Sequence, residues 1–200
     1  MEPAELSEIE AAVAALRAGK LVVLPTDTVY GVAAALDKPA AIAAIFTVKG
    51  RPEDRPLPIL GSDRRALEEV ARFDARAERV ADRYWPGPLT LVLPRTPGFD
   101  ADLGLGADSS VGVRVPRSER TLELLRLTGP LVVTSANRSG EPAAANIAEA
   151  RASLGDSVTF YLDAGPSEGI ESTVLSLIAE PAVLREGALE GTELLQLATS

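Results

Sequence analysis

The 200-residue sequence predicts an α/β fold built on a mixed β-sheet. Three observations carry that reading. Short β-rich runs alternate with stretches of helical periodicity along the whole chain. The alternation keeps no strict βαβ rhythm, which favours a sheet with parallel and antiparallel neighbours together. Aromatic residues make up only 4% of the chain against 46% hydrophobic, so the core must be built mostly of Ala, Val, Leu and Ile. The length suits one domain over residues 1–200, or two tightly joined ones, with enough chain for a proper core.

The elements follow in order. Ser7 and Glu10 fit a capping box, in which each side chain satisfies a backbone donor at a helix start. Leu6, Ile9, Val13 and Leu16 then recur at helical spacing, and Gly19 is a stop. Residues 21–24 form a short buried strand ended by Pro25. Residues 39–48 are helical through Ile42, Ile45 and Phe46. Residues 57–60 read as a strand that Pro56 and Pro58 confine to an edge or a strand end. Residues 64–84 make two helices broken near Asp74. The runs 90–93, 111–115 and 131–134 are strands, with a helix over 121–127. Strands at 160–163, 173–178 and 182–185 and a helix at 192–197 complete the chain. The Gly/Asp/Ser stretch 98–110 reads as a mobile loop.

Composition removes several kinds of chemistry. The chain has no His and no Cys. That excludes a Ser-His-Asp triad, an imidazole base, a thiol nucleophile, a disulfide and a thiolate metal site. Any reaction must run on carboxylates, hydroxyls, amides, Arg, three Lys, backbone donors or a supplied metal ion. No apolar run approaches the ~20 residues needed to cross a bilayer. The N-terminus is acidic where a signal peptide is basic, so a cytoplasmic protein without membrane contact is expected.

The net charge of −9 is unevenly spread. Residues 1–16 carry −4 and residues 141–200 carry −8, while 17–95 is slightly basic and 96–140 neutral. An acidic surface argues against broad nucleic-acid binding, yet leaves room for a local basic pocket in the middle of the chain.

Two familiar patterns fail. Residues 165–169 match GxSxG, but no histidine exists to serve the serine. The Walker A loop is absent, and no GxGxxG follows a strand.

Four segments survive, each with reactive side chains at a strand or helix end. In PTDTVYG (25–31) a strand runs into hydroxyls and a carboxylate, as a capped turn or as a ligand loop. Lys49, Arg51 and Arg55 cluster at a helix end stiffened by Pro52 and Pro56. They either complement the helix dipole or hold rigid forks for a phosphate or carboxylate. Arg114 lies in an apolar strand, either buried with an anion or turned to solvent beside Gly112. In TSANRSG (134–140) a strand opens into hydroxyl, amide and Gly, a small-ligand cradle in α/β sheets. ESTV (171–174) and LREG (184–187) repeat the theme.

Taken together, these segments resemble the YrdC-like family, the threonylcarbamoyl-adenylate synthases. PTDTVYG, KGRP at 49–52, WPGPLTLVL at 85–93, VGVRVP at 111–116, TSANRSG, ESTV and LREG stand in the family's order and cover nearly the whole chain. The Lys49/Arg51 and Ser135/Asn137 pairs match the family's signature. The resemblance is to the short, single-domain form, and implies a twisted mixed sheet with flanking helices around a large concave, positively lined cavity. It implies an enzyme that makes threonylcarbamoyl-AMP and pyrophosphate from L-threonine, bicarbonate and ATP. The product would pass to a tRNA-modifying transferase complex acting at adenosine 37.

By position, Thr28, Arg114, Ser135 and Ser172 would hold threonine. Lys49, Arg51, Arg55, Ser110, Asn137 and Arg185 would face ATP, with Lys49 and Arg51 as the catalytic pair nearest the phosphates. Mg2+ would come with the nucleotide, without a protein metal site. The chain departs from relatives at Leu60, where some carry a His that contacts threonine, and at 143–145, three alanines where many carry Ser-Pro-Thr. The rivals are a non-catalytic double-stranded RNA-binding or ribosome-maturation module on the same fold, binding RNA weakly here, and a carbamoyl-transfer relative.

Overall fold

In the computed structural model, which describes residues 3–104 and 109–199, nine strands form one mixed sheet. The chain order is α1 (Pro3–Arg17), β1 (Val22–Leu24), β2 (Gly31–Ala35), α2 (Pro39–Lys49), β3 (Ile59–Leu60), α3 (Arg64–Leu67) and α4 (Ala75–Tyr84). It continues with β4 (Leu89–Pro94), β5 (Ser110–Arg114), α5 (Glu119–Thr128), β6 (Leu131–Ser135), α6 (Ile147–Leu154), β7 (Phe160–Tyr161), β8 (Thr173–Ser176), β9 (Ala182–Arg185) and α7 (Gly191–Thr199). Across the sheet the strands run β7-β1-β2-β6-β3-β5-β4-β8-β9. The pairs β1–β7, β3–β5 and β4–β8 are parallel and the remaining neighbours antiparallel. Among the described residues no helix is long and apolar enough to cross a membrane.

The two faces of the sheet bury two apolar cores, and strand alternation decides which residue goes where. Val22 and Leu24 of β1 and Ala33 of β2 pack under α1 and α5, against Ile9, Leu16, Leu124 and Leu125. Val23, Val32 and Ala34 point to the opposite face, where α2 contributes Ala41, Ile42 and Ile45. Leu60 and Val133 belong to the α1/α5 face and also line a cavity on it, so the second core runs directly into the site.

Most predicted elements are present with shifted ends. The first helix starts at Pro3, so Ser7 lies inside α1 and does not cap it; proline suits a first helical turn, where its missing N–H costs nothing. The two prolines of 56–58 precede β3 and leave it at the centre of the sheet, beside β5 and β6, with only residues 59–60 in the ladder. The Pro58 carbonyl still accepts from the Val133 N–H at 3.0 Å, which is the half of the ladder a proline can supply. Asp74 caps α4 through the Ala77 N–H at 2.9 Å, at the predicted break.

Two elements escaped the sequence reading. β2 is Gly-Val-Ala-Ala-Ala, poor in strand-forming residues, and exists because β1 and β6 pair with it on both sides. α6 is short and weakly amphipathic, although Asn146 and Glu149 form the reciprocal cap that marks its start. Residues 105–108 of the 98–110 stretch lie outside the described residues.

Helix α2 ends on Gly50 at φ 57°, whose N–H bonds to Thr47 O while the Arg51 N–H returns to Phe46 O at 2.9 Å. This left-handed turn sends the residues on either side of it in different directions. Gly50→Ala should cost about 1 kcal/mol in chemical denaturation, and Gly50→Asn less, because Asn tolerates that conformation.

Candidate active site

Strand β5 decides what faces the cavity. Val113 enters the core, Val111 belongs to both the core and the cavity, and Gly112 and Arg114 line that cavity of about 390 Å³, a volume suited to small-molecule binding. A Cβ on Gly112 would meet Pro58 Cβ at 3.3 Å and Thr90 Cγ2 at 3.5 Å, so the absent side chain leaves room in front of Arg114.

The Arg114 side chain is 7% exposed and that of Asp27 5%, with Nη2 and Oδ1 2.6 Å apart. The guanidinium also donates from Nε to the Gly87 carbonyl and from Nη1 to Thr28 Oγ1, both at 2.9 Å. Asp27 Oδ1 is shared with the Arg117 N–H at 2.9 Å, while Oδ2 is buried with no hydrogen-bond partner among the described residues. Burial pulls the Arg114 pKa down and Asp27 opposes the shift. Of the two readings of Arg114, the buried pair is the one found. Its charge is matched, its plane is fixed on three sides, and N–H groups on both Nη atoms remain for a ligand.

The loop after β1 supplies the hydroxyls. Thr26 Oγ1 donates to the Val29 carbonyl at 2.6 Å and lies 2.9 Å from Thr28 Oγ1. Thr28 therefore donates to Thr26 and accepts from Arg114, which locks its hydroxyl in place. Tyr30 lines the same wall. Its hydroxyl lies 2.6 Å from the Gly165 carbonyl, and burial raises its pKa to about 12, so it stays neutral.

The loop after α2 and strand β9 bring further cations to the cavity. Arg51 donates from Nε to the Arg55 carbonyl at 2.7 Å and from Nη2 to the Pro56 carbonyl at 3.1 Å, so the proline-stiffened loop holds its fork. Burial, then Arg55 and Arg185, pull the Arg51 pKa down, and Glu171 and Asp54 push back. Cations that repel one another across a cavity are an anion site in electrostatic terms. Arg185 binds the Ser172 carbonyl from Nε and Nη2 and reaches Ser172 Oγ at 3.1 Å. Ser172 Oγ is 2.9 Å from Thr90 Oγ1, and Glu171 pairs with Arg185 at 3.1 Å.

Of the residues singled out by sequence, Thr28, Arg51, Ser110, Arg114, Ser135, Ser172 and Arg185 line the cavity together. Lys49 and Asn137 are buried behind it and Arg55 is exposed beside it. Leu60 lines the wall, and the alanine segment takes part through its backbone, Ala144 O accepting from the Tyr30 N–H at 2.8 Å. Sequence reasoning gave no role to Asp27, Thr90 or Glu171. Asp27 was discoverable, because a buried arginine needs an anion and PTDTVYG holds a carboxylate between two hydroxyls. Thr90 and Glu171 carried no such signal; only the β4–β8 pairing brings Thr90 to Ser172.

A concave cavity lined by Arg114, which Asp27 holds from behind, by hydroxyls and by converging arginines has the make-up of a site for small anions. The chain belongs to the Sua5/YciO/YrdC family, whose sequence model, described as "Telomere recombination", matches residues 14–187. It is 43% identical over 182 residues to a Mycobacterium tuberculosis protein provisionally named threonylcarbamoyl-AMP synthase, covering 90% of this chain and 83% of that one. The threonylcarbamoyl-AMP synthase of Pyrococcus abyssi is 41% identical over 187 residues, 91% of this chain and 54% of that protein, so this chain spans about half of its length. The crystal structure of P. abyssi Sua5 complexed with L-threonine superposes with a TM-score of 0.90 at 38% identity, over 96% of this chain and 57% of that one. Escherichia coli YciO shares the fold, with a TM-score of 0.86 at 24% identity, over 94% and 93% of the two chains.

Removing one partner of the buried pair leaves a charge that nothing neutralises. Asp27→Ala should cost about 3–5 kcal/mol in urea denaturation, and Asp27→Ala with Arg114→Met should recover part of that loss.

Proposed function

We propose that this protein is a threonylcarbamoyl-AMP synthase, a nucleotidyltransferase that works in the cytoplasm on L-threonine, bicarbonate and ATP. The observation that carries the reading is the Arg114 fork, fixed by Asp27, Thr28 and Gly87 and facing a cavity shared with Arg51 and Arg185. A carboxylate meets the remaining N–H groups of Arg114, and the hydroxyls of Ser135 and Ser172 lie along the same lining. The triphosphate meets Arg51 and Arg185, and displaces Glu171 from Arg185. Arg55, at the cavity's edge, adds charge at long range, and Ser110 and Asn137 belong to the nucleotide side.

The chemistry needs no covalent nucleophile from the protein, which suits a chain without His or Cys. Bicarbonate gives up hydroxide to become CO2, the free amine of threonine attacks its carbon to form the carbamate C–N bond, and the proton the amine loses joins that hydroxide as water. A carbamate oxygen then attacks the α-phosphorus, and the bond to the β-phosphate oxygen breaks to release pyrophosphate. The protein contributes position and charge neutralisation. Among the described residues no group of three or more His, Cys, Asp or Glu could hold a metal, and Glu171 is the one acidic side chain on the cavity lining. That donor set fits Mg2+ carried in by the triphosphate with its own waters, where the ion neutralises phosphate charge. The product then serves a tRNA-modifying transferase complex.

Pyrophosphate release is the test. Wild type should release it only when threonine, bicarbonate and ATP are all present; release that ignores threonine would contradict the assignment. Arg51→Ala should keep its fold and lose ~100-fold or more in turnover, since a preorganised cation on a transferring phosphoryl group is typically worth that much.

A further inference from the structure

Lys49 is 2% exposed and is absent from the cavity lining, although Arg51, two residues on, is part of it. Gly50 explains the divergence: the left-handed turn sends Arg51 to the cavity and leaves Lys49 under the end of α2. There Nζ meets three oxygens and no carboxylate. It donates to the carbonyl of Ser135, to the carbonyl of Asn137 at 2.5 Å and to Asn137 Oδ1 at 3.1 Å. The Lys49 carbonyl takes the Ser139 N–H at 2.8 Å, so both ends of one residue hold the same turn.

We propose that Lys49 is a positioning residue whose ammonium, by clamping the turn at the carbonyls of Ser135 and Asn137, holds Ser135 in the wall that receives threonine. This rests on the synthase reading for the identity of the ligand, but not for the clamp itself. An ammonium has three N–H donors and the turn presents three acceptors. A neutral amine has two, and would aim its lone pair at a carbonyl oxygen. The charged groups facing Lys49 are Arg51, which disfavours the ammonium, and Glu171, which favours it. Burial is the larger effect and brings its pKa down from 10.5 to about 8. The clamp is therefore strong at neutral pH and loosens as pH rises through about 8. The sign for global stability is opposite. Between about 8 and 10.5 the unfolded chain binds more protons at this site than the folded one, so this group makes folding more favourable with rising pH. Local loosening and global unfolding thus separate.

The test is threonine binding to Lys49→Met by calorimetry without nucleotide, with thermal unfolding as the control and amide exchange of residues 136–139 as a ligand-free readout. A clamp predicts a folded variant with threonine affinity about tenfold or more weaker, as small misplacements of binding groups cost that and more. It also predicts faster exchange at Asn137 and Ser139. Unchanged threonine affinity, with only ATP binding lost, overturns it and makes Lys49 a phosphate contact. If wild type binds no threonine, the synthase reading fails and exchange alone decides the clamp, unchanged protection refuting it. Should the variant not fold, the ligand-free wild type is titrated. Amide shifts of Asn137 and Ser139 moving with a midpoint near 8, with no loss of denaturation midpoint, support the clamp, and flat shifts refute it.

Discussion

The Arg114–Asp27 pair is the constraint around which the site is arranged. A guanidinium inside a sheet costs several kcal/mol unless an anion meets it, and here the anion comes from the loop after β1, far away in sequence. Meeting it fixes three things together. The β1–β2 loop must approach β5, Thr28 must turn its hydroxyl to Nη1, and Gly87 must present its carbonyl to Nε. The stability gained from such a pair is modest. Its gain is geometric, since a fork held on three sides does not have to be ordered when a carboxylate arrives.

The same logic recurs around the cavity with different partners. Arg51 is held by carbonyls of its own loop, Arg185 by the Ser172 backbone, and Lys49 by the turn after β6. Each cation is oriented by neutral oxygens, and the countercharge comes from Glu171, paired with Arg185, and from Asp54, which acts on Arg51. Orientation without neutralisation keeps the positive field available to a phosphate. The overall charge of −9 does not conflict with this, because the net negative charge falls at the two ends of the sequence, while the acids between them are matched by Lys and Arg.

How much of this was legible in the sequence depends on the range of the interaction. Strands whose residues alternate or cluster by β-propensity, such as β4, β5 and β6, could be read locally, as could the Asp74 break. β2 could not, because alanines enter a strand only when neighbours on both sides impose it. The arginines announced themselves through proline-stiffened or apolar surroundings. What they would touch was hidden, since Asp27 to Arg114 and Lys49 to Asn137 span 87 and 88 residues. Lys49 and Arg51 looked equivalent as letters in one motif, and only the left-handed Gly50 between them gives one to the cavity and the other to the wall behind it.

The role proposed for the preset guanidinium fork at position 114 is to receive the carboxylate of threonine. Calorimetric titration of L-threonine into wild type and Arg114→Lys, both without nucleotide, addresses it directly. Lysine keeps the charge and can still pair with Asp27, but it has no planar fork. Wild type should bind threonine, and Arg114→Lys, folded, should bind it at least ~10-fold more weakly, the loss of a bidentate charge-assisted contact. Equal affinities in the two proteins would contradict it.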